Sequence, residues 1–98
     1  MFKKYFYAKA NKKLYQQVLE KWGRFEQLTV AIEELSELIK EICKDIRDMG
    51  NINHLAEEVA DVEIMCEQLR FIYEIDEKVD RWKDDKLKRL AERLNDMP

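Results

Sequence analysis

Two acidic pairs, Glu34-Leu-Ser-Glu37 and Glu58-Val-Ala-Asp61, have the spacing that places carboxylates together on a helix. Each is preceded by a further glutamate, Glu33 or Glu57. Residues three apart share a helix face, so each pair aims two carboxylates at one point. Two such helices side by side would surround a small space with Glu34, Glu37, Glu58 and Asp61. Hard divalent cations, Mg²⁺ first and Mn²⁺ as its substitute, prefer oxygen ligands of this kind. Around these pairs, Glu33–Glu41 holds four acids against one lysine, Lys40, and Glu57–Glu67 holds five acids and no base. A solvated helix face mixes bases among its acids as i,i+4 partners. Like charge at this density costs stability until a cation resolves it. A single such pair arises easily in a chain with 21 acids, and a solvated acidic face is the alternative.

The elements that must carry these residues are helices. A chain of 98 residues is one small domain, and two glycines and one proline leave little to break a helix. The expected fold is all-α, a small antiparallel bundle of about four helices. A first helical pattern runs from about Lys4 to Lys21, and Gly23 can end it. A second runs from about Arg24 to Met49, with Leu28, Ile32, Leu35, Ile39, Ile42 and Ile46 as its apolar stripe. Gly50-Asn51 is the clearest turn, and Asn53 is a candidate cap for a third helix from about His54 to Tyr73. Its stripe is Leu55, Val59, Val62, Cys66, Leu69 and Tyr73. A fourth spans about Asp76 to Leu94. Both acidic pairs flank their stripes on the same side, which predicts a site at the rim of the core. The pairs begin about 16 residues before Gly50 and 8 after it. At 1.5 Å per residue that offset of eight is ~12 Å, in tension with a straight hairpin unless the second helix ends early, near Ile46.

Charge and composition exclude several classes. A net charge of −3 suggests no nucleic-acid partner. No stretch approaches the ~20 apolar residues of a membrane span, and the aromatic, basic start has no apolar run like that of a signal peptide. Residues 1–13 carry Lys3, Lys4, Lys9, Lys12 and Lys13 and no acid, which reads as a solvated, partly ordered start or as attraction for an anionic ligand. Cys43 and Cys66 read as reduced, half-buried thiols of a cytoplasmic protein. A domain this small is expected to associate with copies of itself.

With Glu33-Glu34-x-x-Glu37 and, twenty positions on, Glu57-Glu58-x-x-Asp61, the chain resembles the MazG-like superfamily of all-α nucleoside triphosphate pyrophosphohydrolases. Lys21-Trp22-Gly23 and Gln27 lead into the first motif, and Ile64-Met65-Cys66-Glu67-Gln68-Leu69 follows the second. Lys86-Leu87-x-Arg89-Leu90-x-x-Arg93 looks like the basic stretch that ends small members. The resemblance covers about residues 14 to 94. Two positions depart from the pattern: Asp84 stands where asparagine is common, and Leu90 where a second arginine is.

The resemblance implies hydrolysis of a (deoxy)nucleoside triphosphate between the α and β phosphates, in nucleotide house-cleaning or pool control. Glu34, Glu37, Glu58 and Asp61 would hold Mg²⁺, with Glu33 and Glu57 behind them. Glu37 is the candidate general base. Lys86 and Arg89 would contact phosphates, with ordinary surface charge as the alternative. Trp22 and Gln27 are candidates for the base and sugar, and core packing is as good a reading of Trp22. The resemblance also implies a dimer or tetramer. Two other readings stand beside it: a phosphoribosyl-ATP pyrophosphohydrolase, and a non-catalytic helical oligomer or adaptor.

Overall fold

The computed structural model describes residues 11–96, and the described chain is all-helical. It has three helices: α1 (Lys12–Ile46), α2 (Ile52–Tyr73) and α3 (Asp76–Asp96). The basic start and the first turns of the expected first helix, including Lys3, Lys4 and Lys9, lie outside the described residues.

The break expected at Gly23 is present. Gly23 takes φ 84° and ψ 164°, outside the helical region and disfavoured by side chains, so the helical run α1 consists of two helical arms that meet at this kink. The described chain thus shows three helical runs, the first of them divided at Gly23.

α1 ends at Ile46 in a complete C-terminal cap. Asp48 takes the left-handed conformation (φ 57°), its N–H donates to the Asp45 carbonyl at 3.0 Å, and the Met49 N–H donates to the Lys44 carbonyl at 2.9 Å. Beyond it the chain folds back along the helix, so that a Cβ on Gly50 would meet Asp45 Cα at 3.0 Å. Any larger residue would force the two segments apart by a few tenths of an ångström. The cap of α2 is Asn51 rather than Asn53: its side-chain oxygen accepts from the N–H of Asn53 at 2.9 Å and of His54 at 3.2 Å. The fold-back also resolves the offset between the acidic pairs. With Gly50 beside Asp45, Glu34 lies eleven residues before the crossing (45 − 34) and Asp61 eleven after it (61 − 50).

α1 and α2 thus form an antiparallel hairpin, the main packing of the described chain. Near its open end, Tyr15 is buried on α1 and donates its hydroxyl to Glu67 Oε1 of α2 at 3.0 Å. Burial, and then that bond to a carboxylate, push the phenol up to about 12. α2 ends at Glu74, again left-handed (φ 52°), and α3 folds against α2. The clasp is Arg70, whose guanidinium donates to Asp76 Oδ1 at 2.7 Å and Asp80 Oδ1 at 2.9 Å. No described side chain of α3 is buried.

Candidate metal centre

The seam between α1 and α2 is not built from the stripes that hydropathy singles out. On α1 it runs through Gln27, Ala31, Glu34, Leu38 and Glu41, alternating steps of four and three, with Gln27, Ala31 and Glu41 buried. On α2 the matching positions are Leu55, Glu58, Val62, Met65 and Leu69, with Met65 and Gln68 the most buried residues of the helix. The hairpin turns its acids inward, and Ile32, Leu35, Ile39, Ile42 and Ile46 stay exposed. This corrects the expectation of a site at the rim of an apolar core: the acids occupy the seam itself. Alanine at position 31 has the small side chain that lets two helices approach closely where carboxylates must meet.

Three of the four expected ligands converge. Single oxygens of Glu34, Glu58 and Asp61 lie within 4.8 Å of one another, and each residue is half-buried. Among the described residues no lysine, arginine or histidine pairs with any of them. The nearest such pairing, Lys44 with Glu41 at 3.5 Å, neutralises a different acid. Glu58 Oε2 is shut off from solvent and accepts no hydrogen bond, alone among the described buried side-chain oxygens and nitrogens. Burial raises the Glu34 carboxyl above its ordinary value, and the charges of Asp61 and then Glu58 raise it further. Glu58 is raised by burial, then by the charges of Asp61, Glu37, Glu57 and Glu41. Hydrogen bonding of the Glu34 carboxyl with Asp61 and Glu58 also raises it, by favouring its protonated form. The other causes are one physical fact: negative charge taken out of water and given no counter-charge.

This donor set fits a hard divalent cation. Two oxygens on one Mg²⁺ at ~2.1 Å lie at most ~4.2 Å apart. Neighbouring positions on an octahedral ion lie nearer ~3 Å apart, so oxygens within 4.8 Å of one another reach it by modest side-chain rotation or through a bridging water. The fit is close, and the enclosed oxygen supplies a lone pair that no protein donor uses.

The remaining site residues are placed as follows. Glu37 is exposed and outside the triplet, near enough for its charge to act on Glu58. Glu33 and Glu57 are exposed; the Ser36 hydroxyl donates to the Glu33 carbonyl at 2.7 Å, and the charge of Glu57 reaches Glu58. Gln27 is buried in the seam two turns before Glu34. Trp22 is half-exposed beside the kink, with Lys21 Nζ 5.0 Å from its ring. Lys86 and Arg89 find their partners on their own helix, Lys86 over the Trp82 ring at 5.8 Å and Arg89 with Asp85 at 2.8 Å. Glu41 repeats the position of Glu34 seven residues on, but it pairs with Lys44 and stands outside the triplet. Sequence reasoning took the cysteines as half-buried, whereas both are free and exposed.

A cleft of about 660 Å³ opens elsewhere, where the start of α1 meets the α2–α3 junction, lined by Tyr15, Leu19, Glu67, Arg70 and Phe71 among others. It contains none of the triplet, and charge rather than volume marks the chemical centre. No described helix is long and apolar enough to cross a membrane. Compared with family models, curated proteins and solved structures, the chain matches none.

Proposed function

We propose that the acidic seam is a Mg²⁺ site and that the protein hydrolyses a nucleoside triphosphate to a monophosphate and pyrophosphate. The observation that carries this reading is the unneutralised triplet of Glu34, Glu58 and Asp61, with Glu58 Oε2 enclosed and without a donor. Such a cluster opposes folding unless a cation joins it, and a triphosphate carried by Mg²⁺ is a partner of matching charge. Glu34, Glu58 and Asp61 would hold the ion, with Glu37 beside them and outside the donor set. When bound, the ion offsets phosphate charge and lowers the pKa of a coordinated water.

The chain's own residues do the rest. Glu37, solvated and outside the triplet, is free to take a proton from the attacking water. The water oxygen joins the attacked phosphorus, the bridging bond between the α and β phosphates breaks, and pyrophosphate leaves. Trp22 offers an aromatic face to the base and Gln27 an amide, and Lys86 and Arg89 are the candidate phosphate contacts. The last two sit on a helix that packs against α2, and an assembly of copies is one way to bring them to a seam. Cys43 and Cys66, both free, suit a reducing, cytoplasmic compartment.

The test is pyrophosphate release from a panel of nucleoside triphosphates and phosphoribosyl-ATP, with Mg²⁺, with Mn²⁺ and with chelator. Turnover on at least one substrate, abolished by chelator, is the expected result. No turnover with either metal across several pH values refutes the hydrolase and leaves a helical adaptor. Titration of the protein with Mn²⁺ tests the cation site separately from the reaction.

A further inference from the structure

α3 is held to the hairpin at one end. Arg70 of α2 donates to Asp76 Oδ1 at 2.7 Å and to Asp80 Oδ1 at 2.9 Å, and its backbone carbonyl accepts the Ile75 N–H at 3.1 Å. Val79, within this clasp, is half-buried. Past it the helix stands clear: Leu87 is 60%, Leu90 55% and Leu94 72% exposed. The side of α2 that bears Arg70 is also bare, with Ile52 76% and Val59 39% exposed and Cys66 open to solvent. Two uncovered faces thus diverge from one joint, at residues 74–75, where Glu74 takes the left-handed conformation (φ 52°).

The two faces match. At roughly 100° per residue, Ile52, Val59, Glu63 and Cys66 lie within ~40° of Arg70 around α2. By the same measure Asp80, Lys83, Leu87, Leu90 and Leu94 lie within ~40° of Asp76 around α3. Ile52 precedes Arg70 by 18 residues (70 − 52), and Leu94 follows Asp76 by the same 18 (94 − 76). Antiparallel helices paired at Arg70 and Asp76 therefore stay in register as far as Ile52 and Leu94. That register sets Glu63 opposite Lys83, each seven residues from the clasp (70 − 63, 83 − 76), and Val59 opposite Leu87, each eleven away (70 − 59, 87 − 76). Glu63 and Lys83 are exposed and form no ion pair among the described residues. Asp84, at the margin of the α3 face, lies level with Glu63 and opposes the contact.

We infer that α3 is a hinged arm that closes along α2, with the Arg70 clasp as its pivot and the Ile52–Val59–Cys66 side of α2 as its seat. The clasp already holds the first turns of α3 in the closed register, so closure extends a pairing that exists. Ion pairing of Glu63 with Lys83 and packing of Val59 on Leu87 and of Ile52 on Leu94 complete it. The size of the faces favours this chain's own arm over a separate molecule. Three leucines at roughly 100 Å² each give ~300 Å², well short of the ~800 Å² that each partner of a stable complex contributes. A tethered arm needs less, because the short joint keeps it at an effective concentration of mM order. The inference stands apart from the hydrolase reading, since no residue of the acidic triplet takes part. Closure also covers Cys66, which makes that thiol a reporter of the motion.

Engineered cysteines test the register. In a chain carrying Cys43→Ser and Cys66→Ser, the pair Val59→Cys with Leu87→Cys should form a disulfide under mild oxidant, at the mass of one chain on a non-reducing gel. Val59→Cys with Asp85→Cys, on the far side of α3, should cross-link at least several-fold more slowly. Adding Arg70→Met, checked for helicity by circular dichroism, should slow the first pair at least several-fold by removing the pivot. A second measurement keeps both native cysteines. Leu87→Glu should speed alkylation of Cys66 at least several-fold relative to Cys43, equally at every protein concentration. No disulfide, a far-side pair that forms as fast, or Cys66 reactivity unmoved by Leu87→Glu overturns the inference. A disulfide that forms only between chains overturns it too, by giving the seat to a second molecule. An Arg70→Met chain that cross-links at the full rate refutes the pivot.

Discussion

Gly50→Ala is the most direct test of how the turn positions the metal centre. The added Cβ would sit 3.0 Å from Asp45 Cα, 3.1 Å from its Oδ1 and 3.2 Å from its Cβ, where ordinary contact begins near 3.4 Å. The nearest atom is backbone, so no side-chain rotation relieves the overlap. The strands of the turn must part by about 0.4 Å, and forced packing of this kind costs about 1–3 kcal/mol. Against it stands a gain of about 0.4–1 kcal/mol, because alanine restricts the unfolded chain. The net is about 1 kcal/mol of destabilisation, which in a domain of this size lowers the thermal midpoint by about 4–8 °C. If the Asp45–Gly50 approach sets the register that brings Glu58 and Asp61 to Glu34, Mn²⁺ binding should weaken in parallel. Thermal melts followed by circular dichroism, with and without Mn²⁺, read both effects. A midpoint that is unchanged or higher, with Mn²⁺ affinity intact, refutes the argument that the Asp45–Gly50 approach sets the hairpin's register.

Four further outcomes follow from the same geometry. The raised carboxyls of Glu34 and Glu58 favour the metal-free fold fully below the unfolded value of 4.5, and that contribution is lost as pH rises through the raised native values. Glu58→Gln should therefore gain stability relative to wild type as pH rises above about 4.5 without metal, and lose that advantage when Mn²⁺ is added, in denaturation curves at each pH. Glu37→Gln should lower kcat by about 10²–10⁴-fold with Mn²⁺ affinity nearly unchanged, whereas Asp61→Asn should weaken metal binding itself. Tyr15→Phe removes the bond to Glu67 and should cost about 1 kcal/mol by urea unfolding; the phenol that titrates at about 12 should vanish from an ultraviolet titration. Asp48→Gly relieves the left-handed backbone at φ 57° and should stabilise by about 0.5–1 kcal/mol.

The helical class, the Gly50-Asn51 turn and the convergence of Glu34, Glu58 and Asp61 were all legible in the sequence, because each depends on local spacing or composition. The break at Gly23 was legible too, because glycine is the residue that takes such backbone angles without strain. The direction of the seam was misread. Hydropathy marks Ile32, Leu35 and Ile39 as a stripe that wants cover, and reading a single chain assigns that cover to the chain's own helices. In the hairpin the acids hold those positions instead, and the stripe is left for another surface. The capping role of Asn51 over Asn53 turned on two residues, within the range where helix ends shift.

The short turn also has a kinetic consequence. Closing a loop of five residues between Ile46 and Ile52 costs little chain entropy, so the hairpin's contacts are local and its folding should be fast. Zipping outward from Asp45 and Gly50, the first two turns of helix on each side form before any carboxylate of the triplet meets another. The repulsion then arrives partway along the seam, and Tyr15 and Glu67 close only after it has been passed. Divalent metal should therefore speed the late part of folding and leave the first encounter of the two helices unchanged.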